Sequence, residues 1–396
     1  TDDRMYEDSY FWAGYGNVYS LRKLRSTAIN VDALLSFNQK LTNKIGLNGN
    51  IGGSIQESKY ESLELNALGL IKPDFFFMQN AKNLTSNNLF GRSPQIQSLY
   101  GVATLSYEDR LYFSTTMRND WSSALTLGHQ SYFYPTFGLS AVISEMIKLP
   151  SWISYGKGRI TYAKSGYGGN QYLDRNYFSV LPGGIIRPSS LRATADYKPE
   201  LTSTYEVGLD SRFFNGRLGL SVTYYQSRTI NQLIQLPTPS VASLFSSEYV
   251  NAGLIQNRGL EWVLDGRPVN SRNFSWDATI NFSSNKNKIV RLDSGSTSRL
   301  IGGSIGDVYA QDWARDTQGR RLVDDNGRPI FGVGTVYFGK SQPDYMLGFM
   351  NEFSYKRFSL SFLIDYSHGG VVNQGYQNII DIQGTSQASL QGREGG

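Results

Sequence analysis

The chain has 396 residues, with 38 Lys and Arg against 33 Asp and Glu, two His and no Cys. The absence of cysteine removes disulfide scaffolds, thiolate zinc sites, iron–sulfur clusters and thiol nucleophiles, and His129 and His368 alone leave little room for a histidine metal site or histidine catalysis. An aromatic content of 13% excludes a disordered chain, no apolar run reaches the roughly 18 residues of a membrane helix, and the cations are scattered over turns rather than gathered in the stripe that nucleic acid requires.

What remains is a β-rich protein, and its dominant signal is period-2 alternation, the mark of a strand with two different faces. In chain order the pattern predicts about twelve strands of roughly 10 residues, the length that crosses a bilayer at a tilt. They fall near 28–38, 44–56, 97–107, 110–119, 131–143, 157–167, 203–214, 217–228, 256–266, 273–283, 343–355 and 357–367. In the second, Ile45, Leu47, Ile51 and Ile55 alternate with Gly46, Asn48, Asn50 and Ser54. Further on, Leu218, Leu220, Val222 and Tyr224 alternate with Gly219, Ser221, Thr223 and Tyr225. Phe274, Trp276, Ala278, Ile280 and Phe282 oppose Ser275, Asp277, Thr279, Asn281 and Ser283. Phe358, Leu360, Phe362, Ile364 and Tyr366 close the series.

The links carry as much information as the strands. Glu108-Asp109, Asn215-Gly216 and Lys356-Arg357 are tight turns, and 39–43, 144–156 and 267–272 are fairly short. Longer links at 57–96, 120–130, 168–202, 229–255 and 284–342 alternate strictly with them. An outer-membrane barrel sorts its links in this way, with short periplasmic turns and long outer loops. Lipid demands a closed sheet with every backbone group paired. The fold class expected is therefore all-β, an antiparallel transmembrane β-barrel segment with long extracellular loops. Tyr107, Tyr112, Tyr224, Tyr225, Tyr355 and Tyr366 are expected in the interfacial girdles. The same faces could also pack the dry core of a soluble β-sandwich or propeller.

The run Leu99-Tyr100-Gly101-Val102-Ala103-Thr104-Leu105-Ser106-Tyr107-Glu108-Asp109-Arg110-Leu111-Tyr112 resembles a barrel hairpin of the SusC/RagA-type TonB-linked outer-membrane transporters. The resemblance continues through Arg118-Asn119-Asp120-Trp121-Ser122-Ser123 to Tyr132-Phe133-Tyr134-Pro135, and includes Arg159-Ile160-Thr161-Tyr162-Ala163. Tyr197-Lys198-Pro199-Glu200-Leu201-Thr202 with Tyr205-Glu206-Val207-Gly208-Leu209 is a further match, as are Asn251-Ala252-Gly253 and Asn257-Arg258-Gly259-Leu260-Glu261. It covers nearly the whole chain, in family order. It implies that residues 1–396 are a partial TonB-dependent receptor β-barrel domain, the middle to late part of a larger barrel of 22 strands. The start at Thr1 and the loop-like end at Gly392–Gly396 agree with a piece of a longer protein, lacking the plug, the N-terminal domains and the final strands.

The resemblance further implies residence in the cell outer membrane of a Gram-negative, Bacteroidetes-like cell, among outer-membrane lipid. The activity implied is import of large nutrients, oligosaccharides or peptides. A SusD-like lipoprotein would be the partner, and the TonB-ExbB-ExbD complex would energise uptake through the missing N-terminal part. No enzyme activity, cofactor or metal is expected. Ser367-His368-Gly369-Gly370 reads as a strand end entering a glycine-rich loop, and Gly302–Gly306 as a flexible lead into one. Asp324, Asn326 and Gly327 form an incomplete calcium ladder, and the repeated Asp-x-x-Gly units are ordinary turn chemistry. Loop aromatics Trp121, Tyr309, Trp313, Tyr337 and Phe338 are the candidate substrate-binding residues, because such rings stack on sugars or grip peptide side chains. Arg118 and Asp120, beside Trp121, suit anchoring of the strand end instead. The competing function is a soluble or surface β-rich glycan-binding or hydrolytic protein with a carboxylate pair across a cleft.

Overall fold

The computed structural model describes residues 2–5, 18–72, 75–170, 172–181, 184–194, 196–237, 245–251, 253–292, 301–325, 327–372, 375–387 and 390. Strands β1 (Asp2–Met5), β2 (Val18–Lys40), β3 (Ile45–Leu70), β4 (Ala81–Arg92), β5 (Ile96–Tyr107), β6 (Leu111–Ser122) and β7 (Ser131–Val142) come first. There follow β8 (Ile153–Tyr167), β9 (Phe178–Leu181), β10 (Ile185–Pro188), β11 (Leu191–Arg192), β12 (Glu200–Phe213) and β13 (Leu218–Ile230). The series ends with β14 (Leu233–Pro237), β15 (Ser247–Asn251), β16 (Leu254–Asn270), β17 (Phe274–Arg291), β18 (Asp307–Ala310), β19 (Val336–Lys340), β20 (Tyr345–Tyr355) and β21 (Phe358–His368), before the helix α1 (Gly375–Ile382).

Among the described residues, fourteen strands form one sheet in the order β1-β2-β3-β5-β6-β7-β8-β12-β13-β16-β17-β20-β21, with β4 on β3. Nearest-neighbour order with antiparallel registers is the meander that short turns and hairpins impose. All twelve expected strands are present. Turn geometry follows from the residues: Glu108 and Asp109, then Phe214, Asn215 and Gly216, and then Lys356 adopt positive φ.

Two compact units divide the chain. One comprises Thr1–Leu139, Tyr162–Ser203 and Thr229–Ala252; the other comprises Ser140–Thr161, Thr204–Arg228 and Gly253–Gly396. In the first, the β2–β3 register places Val31, Leu35 and Phe37 beside Ile55, Ile51 and Gly49 on one face. Leu99, Leu105, Phe113 and Met117 continue that face through β5 and β6. These apolar side chains are exposed, as a face that meets lipid requires. Asn30, Asn50, Thr104 and Ser114 occupy the other face.

In the second unit the polar face is tied by cross-strand steps. Arg159 reaches Asp210 and Thr223, and Ser221 donates to Asp210 at 2.6 Å. Arg212 pairs with Asp265, and Arg267 with Asp277 at 2.6 Å. The apolar face stacks Trp262 on Phe282 and Trp276 on Phe353. Asn351, almost fully buried, accepts from the Trp276 indole at 3.1 Å on that face.

Three features go beyond the sequence expectation. β2 and β3 run on well past a bilayer's thickness, and β4, absent from the alternation, pairs with that extension. The segment from Glu57 to Leu70 projects about 45 Å at strand rise. A register shift between Gly266 and Val269 marks a bulge near the periplasmic end of β16. Tyr112 and Tyr225 sit on the polar face rather than in a girdle: Tyr112 pairs with Ser106, and Tyr225 fills the space above Gly259.

The two faces make an asymmetric prediction. In the whole protein, Ile51→Arg should weaken folding into bilayers by about 2–4 kcal/mol, the cost of a cation at mid-membrane on a lipid face. Asn50→Ser, one residue away on the polar face, should be near neutral in the same urea titration.

Candidate functional site

The extracellular loops hold two separate constructions, one in each unit. The first is a buried knot beneath the loops of the first unit. Leu125, Tyr132 and Tyr197 form its core, with Tyr134, Leu173, Leu201 and Leu233 packed against it. Tyr197 is 1% exposed. Its hydroxyl accepts the Asn170 N–H at 2.9 Å, and its carbonyl accepts Thr126 Oγ1 at 3.0 Å. The ring lies where a Cβ on Gly169 would stand, so only glycine fits there, at φ +72°.

The neighbours of Tyr197 tie in the next loop. Asn251 Oδ1 accepts the Lys198 N–H at 2.8 Å, while Asn251 Nδ2 donates to the carbonyls of Lys198 and Asn231, both at 2.9 Å. Glu200 accepts the Leu233 N–H at 2.8 Å and Gln232 Nε2 at 3.1 Å. The Tyr197–Glu200 block and Asn251 thus act as clasps between loops. Ala252 of the Asn251-Ala252-Gly253 run lies outside the described residues.

Charge around the knot pulls in two directions. The Lys198 ammonium at 2.6 Å and the His129 ring at 2.7 Å hold the Asp196 carboxyl below its ordinary value of 3.8. Burial pushes the Glu200 carboxyl above its ordinary value of 4.5, against its two hydrogen bonds. Burial also pushes the Tyr197 phenol up to about 12.

Close by on the polar face, Arg118 Nε meets Asp120 Oδ1 at 2.7 Å, and Tyr134 donates to Asp120 Oδ2 at 2.6 Å. Arg118 also donates to Ser98 at 2.9 Å and lies 5.7 Å from the Tyr100 ring centre. These contacts are the strand-end anchor expected of Arg118 and Asp120. Trp121, paired with Gln97, falls instead on the face of Leu99 and Met117. A shallow 380 Å³ cavity beside it is lined by Gln95, Gln97, Ser122, Ser123 and Gln130.

The second construction, in the second unit, is the loop hairpin between β17 and β20. Tyr309 on β18 and Tyr337 on β19 are register partners with ring centres 5.5 Å apart. Trp313 stacks on Phe331 at 4.6 Å, and Phe338 is exposed. Beyond the Trp313–Phe331 bridge the chain closes on itself through three backbone bonds. Ala314 donates to Ile330 at 2.8 Å, Ile330 to Leu322 at 3.1 Å, and Leu322 to Ala314 at 2.8 Å.

This pseudo-threefold ring was hidden from periodicity, but its signal is the 8-residue offset of Asp316-x-x-Gly319-Arg320 against Asp324-x-x-Gly327-Arg328. In each turn the Asp caps the amide four residues on: Asp316 Oδ1 accepts Arg320 N–H at 2.9 Å, and Asp324 Oδ1 accepts Arg328 N–H at 2.8 Å. The Asp324 oxygen is thereby committed to turn chemistry, and Asn326 lies outside the described residues. Of the five expected aromatics, the hairpin gathers Tyr309, Trp313, Tyr337 and Phe338; Trp121 belongs to the other unit.

Together these observations define a class: a membrane-spanning antiparallel β-sheet with an apolar outer face, short turns at one end and long folded loops at the other. The family model described as TonB dependent receptor-like, beta-barrel, matches residues 2–391. The chain belongs to the TonB-dependent receptor β-barrel family, and its place is the outer membrane. TonB-dependent receptor P26 of Formosa agariphila is 26% identical over 91% of this chain and 41% of that protein. TonB-dependent receptor SusC of Bacteroides thetaiotaomicron is 25% identical over 67% of this chain and 30% of that protein. Among solved structures, the RagAB peptide transporter shares the fold with a TM-score of 0.75 at 19% identity, over 89% of this chain and 42% of that one. The chain therefore spans less than half the length of these relatives.

Two tests follow from the knot. Asn251→Ala strands the Lys198 and Asn231 carbonyls and the Lys198 N–H, and should weaken the knot by about 1–3 kcal/mol. Limited proteolysis should then cut within 168–202 while heat-modifiable migration of the barrel stays unchanged. The second test is pH. The lowered Asp196 stabilises the fold above its ordinary range and loses that contribution as pH falls through the folded value. The raised Glu200 contributes below 4.5, and its contribution is lost as pH rises through its folded value. Corrected for the intrinsic exchange rate, protection of these loop amides should therefore fall toward strong acid in Glu200→Gln, and fall less in wild type, where the protonated Glu200 offsets part of the Asp196 loss. At neutral pH, only Glu200→Gln should gain protection over wild type.

Proposed function

We propose that this chain is the barrel wall and outer-loop section of a TonB-energised importer of large nutrients, oligosaccharides or peptides, that captures cargo together with a SusD-like surface lipoprotein. The process is vectorial movement with no covalent chemistry. The observation that carries the reading is the sorting of links on a continuous sheet: tight turns at one end, and at the other loops built into a buried knot and an aromatic hairpin. Loops folded at this cost in chain entropy serve recognition more readily than closure. The family membership and the fold shared with the RagAB peptide transporter support it.

In this reading the longer protein supplies the plug, the TonB-coupling segment and the remaining strands. The candidate cargo contacts are the rings of Tyr309, Trp313, Tyr337 and Phe338. Paired and stacked on a strand frame, they offer large apolar area with little entropy left to lose on binding. Trp121, on the apolar face, is better suited to the outer interfacial girdle.

Growth tests this directly. Cells carrying the whole protein should lose growth on either a peptide digest or an oligosaccharide mixture as sole nutrient when the gene or TonB is removed. Tyr309→Ala/Tyr337→Ala should weaken binding of that nutrient about tenfold or more, at the hot-spot scale of about 2 kcal/mol, with the amount of folded barrel unchanged. Normal growth without TonB on every such nutrient would end the importer reading.

A further inference from the structure

The projecting part of β2, β3 and β4 carries charge that its own fold does not balance. In the ladder Lys59 stands directly opposite Arg92, two cations across one strand pair, an arrangement that weakens a sheet. Both lean on a single carboxylate at the limit of an ion pair: Glu57 Oε1 is 3.9 Å from Lys59 Nζ and 3.8 Å from Arg92 Nη1. Charge-assisted hydrogen bonds are about 1 Å shorter. Arg25 adds a third cation, placed opposite Glu61. With Ile29, Tyr60 and Phe90 these cations line an open cavity of about 580 Å³, and Phe90 is 70% exposed.

The position of the cluster selects its ligand. The β3 alternation runs without a break from Ile51 and Ile55 on the apolar face to Glu57 and Lys59 on the same face. Lys59 lies about 13 Å along the tilted strand beyond Ile55, the depth of headgroups rather than acyl chains. Phe90 and Arg92 share that face through their partners Glu61 and Lys59. We propose that Arg25, Lys59 and Arg92 bind the phosphate of an anionic lipid in the outer leaflet. Its acyl chains would run down the apolar wall past Ile29, Val31 and Ile55. A phosphate between Lys59 and Arg92 turns a repelling pair into a bridged one, and the guanidinium forks match its oxygens. The inference stands on the membrane-spanning sheet and is independent of what the protein imports.

Native mass spectrometry of the whole protein tests it, with two probes: bis-phosphorylated lipid A and the same lipid stripped of both phosphates. Wild type should retain the phosphorylated form at least tenfold better, and Arg25→Gln/Lys59→Gln/Arg92→Gln should lose that advantage. Arg92→Gln alone guards against misfolding: without lipid its thermal midpoint should equal or exceed that of wild type, and added phosphorylated lipid should raise only the wild-type midpoint. Equal retention of both probes by wild type, or unchanged retention by the triple variant, would overturn the proposal. So would a triple variant that binds lipid normally but loses nutrient capture, which would assign the cations to cargo.

Discussion

The structure depends on one constraint: in hydrocarbon no backbone N–H or C=O can be left to water, so each must find its partner in the sheet. That requirement makes the strands long and antiparallel and keeps their order sequential. It also leaves side chains free to differ between faces, because pairing is the work of the backbone. One face can then be Leu, Ile, Phe and Trp toward lipid, and the other Ser, Asn and the Arg–Asp steps of Arg159, Asp210, Arg212, Asp265, Arg267 and Asp277.

Outside the bilayer the constraint lapses, and the loops are stabilised by different means. Water can satisfy a loop backbone, so order there must come from burial and from side-chain clasps. Tyr197 supplies the burial, and Asn251 and Glu200 supply the clasps. The hairpin of the second unit is ordered differently, by a ring of three backbone bonds and two Asp-capped turns. These are two independent solutions to the same entropic problem, one in each unit.

The strands were readable because alternation is a local property. Each residue of 274–283 declares its face by its own chemistry, and the register with 346–355 confirms it. β4 was not readable. Its sequence, rich in Asn, carries no two-faced pattern, because both of its faces lie beyond the hydrocarbon layer and only pairing with β3 makes it a strand. The girdle assignments of Tyr112 and Tyr225 failed for a related reason. A tyrosine at a strand end suits either face, and the register decides which. In the candidate site, the rings of Tyr309, Trp313, Tyr337 and Phe338 were visible as aromatics outside the strand pattern. Their pairing, including the Phe331 partner of Trp313, was not.

The sequence by itself determined the all-β class, the twelve long strands, their faces and the sorting of short and long links. Each of these follows from the solvent a residue meets, and a period-2 pattern records that solvent directly. Only the tertiary structure decided which loops share the Tyr197 knot, how the hairpin closes at residues 314, 322 and 330, and that Lys59 faces Arg92. Those contacts join residues far apart in the chain or on facing strands, and no local periodicity encodes a partner that distance and register alone bring near.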